Sequence, residues 1–244
     1  MGPARWQVRS WCIAKVTADF VWRMEHVLSV YARPYDVLHP VVCFDEKPYQ
    51  LLSDIQDALP AKPGFIKRKD YEYRREQPVR CYSVSKKREG TANLFVAFEP
   101  LTGQRVIEVT DQRCSRDFAD QMRKLAARYP NAVKIHVVLD NLSTHSPSAL
   151  YQAMPPEEAQ ALLDRLEFHF TPKHGSWLNM AEIEWSVFER QCLGQRIPSK
   201  DKLAGVAAGW SADRNDRAVR VNWRFGVVEA RERLARLYPK LDNQ

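Results

Sequence analysis

The chain has 244 residues, 45% hydrophobic and 27% charged, enough for one sizeable core with small appendages. A mean hydropathy of -0.48 and no apolar run near the ~20 residues of a spanning helix argue against a helical membrane protein, and with no apolar stretch in the first residues no secretory signal is expected. A net charge of +7 and a pI of about 9.2 favour a polyanionic partner, nucleic acid first.

Taken in chain order, residues 17–30 (TADFVWRMEHVLSV) read as a helix, with Phe20, Met24, Val27 and Leu28 at helical spacing and Thr17 as its cap. The apolar run Val41 to Phe44 predicts a buried strand that ends at Asp45-Glu46. Next, IKRKDYEYRREQPVR interleaves Lys67, Arg68, Lys69, Arg74 and Arg75 with Tyr71 and Tyr73. That pattern suits a phosphate backbone and stacked bases as well as it suits a solvated loop. Residues 93–98 and 104–109, separated by Glu99-Pro-Leu-Thr-Gly103, predict a hairpin. Residues 115–128 predict an amphipathic helix capped by Ser115, with Phe118, Met122 and Leu125 on one face. A buried strand over 134–139 ends in Asp140-Asn141, a helix follows over about 156–166, and a short strand over 167–170. A helix from about Leu178 to Cys192 comes next, then helical sequence interrupted near 211–217 and a basic helix over 228–238.

Antiparallel strands first, then strands alternating with helices, predict an α/β layered domain built on a mixed sheet. The five cysteines (Cys12, Cys43, Cys81, Cys114 and Cys192) are odd in number and form no CxxC. This argues against a disulfide framework or a cysteine zinc site and suits the cytoplasm; Cys43 reads as a core residue.

Asp45 and Asp140 each follow a predicted buried strand, where ligand sites of α/β sheets gather. Carboxylates brought together repel unless a cation or a shared proton intervenes, and hard oxygen ligands select Mg2+ or Mn2+ over zinc. Glu182 completes the set: Leu178, Glu182 and Trp185 fall at i, i+4 and i+7, one helical face. Glu184 points about 200° away and is expected in solvent, with Glu189 as the reserve acid.

Three stretches, VVCFDEKPYQLL, VVLDNLSTH and TPKHGSWLNMAEIEW, resemble the acidic motifs of DDE-type transposases, specifically bacterial insertion-sequence enzymes of the mariner-like superfamily. The resemblance spans about Val41 to Arg196, with 41 residues (182 − 140 − 1) between the second Asp and the Glu. It implies a ribonuclease H-like fold and a catalytic, metal-holding triad of Asp45, Asp140 and Glu182. Two Mg2+ ions are implied, with Mn2+ as substitute and Asp45 as the bridging ligand. Asn141 and His145 match the DN-x-x-x-H pattern and Asn179 the Asn three residues before the Glu, all three as supports of the acids. Many relatives have Pro after that Asn; this chain has Met180. Lys173, His174 and Trp177 are placed to meet DNA near the scissile phosphate, with packing in the core the competing and favoured reading of Trp177.

The implied activity is metal-dependent cleavage of double-stranded DNA at element ends and strand transfer into target DNA, at a TA step, by a homodimer. The expected organisation is an N-terminal helical remnant lacking a full helix-turn-helix region (1–38), a catalytic domain (39–196) and a basic helical extension (197–244). Two other readings stand beside it: a degenerate or truncated copy that binds DNA without cutting, and another nuclease of similar fold such as a ribonuclease H or junction resolvase.

Overall fold

A computed structural model describes residues 17–54, 73–74, 90–235 and 238 of the chain. The first helix, α1 (Ala18–Tyr31), starts at Thr17, whose hydroxyl accepts the Phe20 N–H at 3.2 Å. Strand β1 (Val41–Gln50) leads to the short pair β2 (Ser53–Asp54) and β3 (Tyr73–Arg74). The hairpin β4 (Thr91–Glu99) and β5 (Gln104–Thr110) is followed by α2 (Ser115–Arg128) and β6 (Ile135–Leu139). Then come α3 (Ser148–Ala153), α4 (Pro156–Arg165), β7 (Leu166–Phe170), α5 (Ala181–Cys192), α6 (Lys200–Asp216) and α7 (Val227–Arg233).

Five strands form one sheet in the order β5-β4-β1-β6-β7. β5, β4 and β1 run antiparallel, and β6 and β7 join β1 in parallel, the layout of a ribonuclease H-like fold. Strand residues alternate between two cores. Val41, Cys43, Leu94, Val96 and Val138 pack with α1, α5 and α6 on one face. Val42, Phe44, Phe95, Val137 and Leu139 pack with α2, α3 and α4 on the other. Among the described residues, α1 before position 39 and α6 and α7 after position 196 therefore share a core with the sheet. Among the described residues no helix is long and apolar enough to cross a membrane.

Several sequence expectations are corrected. β1 does not stop at Asp45; it pairs with β4 as far as Gln50, because the antiparallel ladder continues after β6 has ended. The cap of α2 is Cys114, not Ser115, and its N–H donates to Asp117 at 2.8 Å. α5 begins at Ala181 after a 3-10 turn over Ser176–Leu178, so Leu178 stands outside the helix whose face it was used to define. The polar stretch 211–217 does not break α6, since Asn215 exchanges 2.8 Å hydrogen bonds with the Arg105 backbone. The last helix ends at Arg233. Gly103, in the hairpin turn, has φ +78, and a Cβ there would lie 2.8 Å from the Ala218 carbonyl carbon, so glycine is required twice over.

Glu184 is the largest correction: it is fully buried, not solvated. Its carboxylate meets Arg105 at 2.7 Å and Arg214 at 3.3 Å, joining α5, β5 and α6. The Arg105 guanidinium lies over Phe98 and that of Arg214 over Trp210, which completes its packing. Removing one member of a buried ion network leaves uncompensated charge. Glu184→Ala is expected to lower unfolding stability by ~3–5 kcal/mol in denaturant titration. A loss below ~1 kcal/mol, the worth of an exposed pair, would show that the arginines find other partners.

Candidate active site

The parallel register of β1 and β6 sets the site. Val41 pairs with His136 and Cys43 with Val138, a constant offset of 95 (136 − 41), which continued upward brings Asp45 level with Asp140. Strand alternation turns both acids to the face that α5 covers, since Cys43 and Val138, two residues before each, pack in that core. β6 ends at Leu139 while β1 runs on, so the two strands part at the acids and leave room between them.

Asp45 is 8% exposed. Burial, and then the carboxylates of Glu182, Asp140 and Glu46, push its carboxyl up to about 7. Asp140 goes the other way. Burial raises it, but hydrogen bonds from His145 at 2.7 Å and from the Leu142 N–H at 3.2 Å outweigh that and hold it below the ordinary value. The two aspartates are thus held in opposite senses, one crowded by charge and one relieved of it.

His145 is the reason. Its ring is buried against Phe44 and Phe118, centroids 5.8 and 5.0 Å away. Nδ1 contacts Asp140 at 2.7 Å and Nε2 contacts Glu46 at 2.5 Å. Burial alone would lower its pKa; the two carboxylates overcome this and push it up to about 9. It is therefore an imidazolium at neutral pH, bridging two acids. Glu46 was not singled out from the sequence. The signal was there in the period-2 alternation, which turns Glu46 away from Asp45 into an apolar face, where an acid needs a buried partner. Arg113 adds a second, longer contact to Glu46 at 3.7 Å.

Asn179 is fully buried and ties α5 to β1. Its side-chain amide donates to the Phe44 carbonyl at 2.8 Å, the residue before Asp45, while its Oδ1 accepts the Ala181 N–H at 3.1 Å. Tyr31 adds a hydrogen bond from its hydroxyl to the Leu178 carbonyl at 2.8 Å. Glu182 lies in the first turn of α5, where the helix dipole favours an anion. Its side chain is exposed, so the packed face argued from Leu178 and Trp185 does not hold, although Glu182 does stand in the field of Asp45. Glu189, the reserve acid, is engaged by Lys47 at 2.5 Å. Asn141 donates to the Thr171 carbonyl, linking the ends of β6 and β7.

Asp45, Asp140 and Glu182 do not close on a single point: among the described residues only His136, Glu167 and His169 offer three ligand atoms within 4.8 Å of one another. The loop from β7 to α5 presents Lys173 and His174 to solvent. Trp177 is 47% exposed beside Phe225, so it is not a core residue. Lys67, Arg68, Lys69 and Arg75 lie outside the described residues, and Arg74 is described only as backbone of β3.

No curated protein matches the sequence. Among solved structures, the Mos1 mariner paired-end complex with Mn is similar, with a TM-score of 0.54, 16% identity, and coverage of 97% of this chain and 66% of that one. The Mos1 strand transfer complex aligns with a TM-score of 0.55 at 16% identity, again over 97% and 66%. The pre-cleavage Mos1 transpososome aligns at 0.54 and 15% identity, over the same shares. The chain thus spans just under two thirds of these proteins, and the likeness is one of fold. Residues 40–204 match the family described as DDE superfamily endonuclease, a stretch that takes in the whole five-stranded sheet and α5, and the chain belongs to that family.

Proposed function

We propose that this chain is the catalytic part of a transposase of the mariner-like, bacterial insertion-sequence kind, cutting DNA at element ends and joining those ends to target DNA. The observation that carries the reading is the gathering of Glu182, Asp140 and Glu46 around buried Asp45, whose pKa is raised to about 7 by burial first and by these carboxylates next. A fold gains nothing from such repulsion in itself, and a cation bound there would relieve it. The family match to an endonuclease supports the same reading. So do the Mos1 complexes described with Mn and with Mg, and the strand transfer complex.

The donors fit hard divalent ions, being all carboxylate oxygens. Asp45, Asp140 and Glu182 would hold two Mg2+ ions, or Mn2+ in their place, which when bound would supply positive charge for activating a water or 3'-hydroxyl and for stabilising a leaving oxygen. The protein's part is positioning. His145 holds one Asp140 oxygen and leaves the other for a ligand. Asn179 sets the start of α5 against β1, so that Glu182 and Asp45 keep their separation. Lys173 and His174 offer charge and hydrogen bonds to phosphate, and Trp177 a surface for a base. The basic chain as a whole suits double-stranded DNA, and a paired-end assembly calls for two copies of the chain, one for each end. The cytoplasm is the expected compartment.

Two outcomes follow. Asp140→Asn is expected to abolish Mg2+-dependent nicking and strand transfer on element-end duplex, by more than the ~10²–10³-fold that one charge-stabilising group contributes. DNA binding should persist with the fold intact. Binding indifferent to metal, with no cleavage by the unaltered chain, would favour the reading of a copy that binds DNA only. Stability gives an independent check. The Asp45 pKa is raised in the folded state from 3.8, so its contribution is full below about pH 4 and is lost as pH climbs to about 7. In metal-free protein at pH 8, Asp45→Asn should therefore be stabilising, by ~2–4 kcal/mol. Added Mg2+ should raise the Tm of the unaltered chain and leave the Asn variant nearly unmoved. Equal Mg2+ responses would remove Asp45 from the metal site.

A further inference from the structure

A second cluster of ligating groups lies at the far end of the same strands. His136 stands four residues before Asp140 on β6, about 13 Å away at ~3.3 Å per residue. It faces α1 together with Glu167 and His169 of edge strand β7, and His136 and Glu167 pair across the sheet. His136 and His169 are buried, and Glu167 is partly open to solvent.

The hydrogen bonds of this cluster run in one direction. Arg33 Nη1 lies 2.7 Å from His136 Nε2 and 3.3 Å from its Nδ1. Arginine only donates, and its closer contact makes Nε2 the acceptor, which places the His136 proton on Nδ1. Nδ1 lies 3.0 Å from His169 Nε2, which must then accept. The His169 proton is left on Nδ1, which donates to His26 Nε2 on α1 at 2.8 Å.

We propose that His136, His169 and Glu167 form a binding site for a transition-metal ion of the Zn2+ class, separate from the acidic cluster, with a fourth position open to water. His136 Nδ1 is 3.0 Å from His169 Nε2 and 3.4 Å from Glu167 Oε2, and His169 Nε2 is 3.6 Å from Glu167 Oε1. A tetrahedral ion with bonds of ~2.0–2.1 Å spaces its ligands about 3.4 Å apart, and one ligand atom from each of the three residues already lies within 4.8 Å of the other two, so small side-chain shifts would bring them to that spacing. Two imidazoles and a carboxylate select zinc over magnesium. Both histidines are neutral and able to donate a lone pair. Burial and Arg33 lower His136, and burial, His136, His26 and Arg33 bring His169 down to about 3.

His169 needs no rearrangement. Its Nε2 lone pair already faces the site, and its Nδ1–H is given to His26, the outer hydrogen bond that metal-bound histidines carry. His136 must move its proton from Nδ1 to Nε2, where Arg33 now donates. Arg33 is exposed just beyond the end of α1 and must swing aside. The arginine and the ion therefore compete for one histidine. The bound ion, through His26, would fasten α1 to edge strand β7.

The whole chain, stripped with a chelator and held in excess Mg2+ to occupy the carboxylates, is titrated with Zn2+ by calorimetry and with Co2+ by visible absorption. One equivalent of Zn2+ that Mg2+ does not displace is expected, with the strong Co2+ bands of a tetrahedral site and a raised Tm. Glu167→Gln, at a partly exposed position that leaves the fold undisturbed, should weaken Zn2+ by more than the ~100-fold that loss of an outer partner can cost. His26→Ala should weaken it by ~10–100-fold. Arg33→Gln, which can accept the new Nε2 proton, should strengthen it. No Mg2+-resistant Zn2+ binding, or binding unchanged by Glu167→Gln, would overturn the site and leave the histidines as a hydrogen-bonded chain only.

Discussion

The parallel pairing of β1 with β6 is the constraint on which the rest depends. Only Val41 to Cys43 pair with β6. Those few rungs put Asp45 and Asp140 at one level, where β6 ends while β1 continues. A register slip of one residue would turn Asp45 into the opposite core and leave the two aspartates back to back. Both cores guard against that slip, since each is filled by alternate residues of the same strands.

Around that pairing the protein assigns its acids different electrostatic conditions. Asp45 is surrounded by like charge and buried, and it holds its proton near neutral pH. Asp140 is calmed by a cationic imidazole that Glu46 supports from behind. Glu184, only two residues from Glu182, is neutralised by two arginines and belongs to the core. Residue type alone distinguishes none of these. Burial and partner do, and both are properties of the fold.

This explains what could be read in the sequence and what could not. Short-range patterns were legible: the apolar runs of β1, β4, β5 and β6, the cap at Thr17, and the turn at Gly103. The order of strands and helices followed from these. Long-range partners were not legible. The acid at 184 looked like a solvent-facing residue because its arginines come from positions 105 and 214, far along the chain. The stretch 211–217 looked like a break because its polar groups find partners on β5. β1 looked shorter because the ladder that prolongs it is supplied by β4. Glu46 was hidden by its neighbour Asp45, and the histidines at 26, 136 and 169 are too widely spaced to form a motif.

The buried pairing of Glu184 has one more consequence. Glu182 and Glu184 are about 200° apart around α5, so one cannot turn without the other. Rolling the helix about its own axis would draw Glu184 away from Arg105 and Arg214 into an apolar environment. The helix is therefore keyed in rotation, while Asn179 prevents it from sliding along β1. Whatever Glu182 grips, it must reach by its own side-chain torsions, on a backbone that is already aligned.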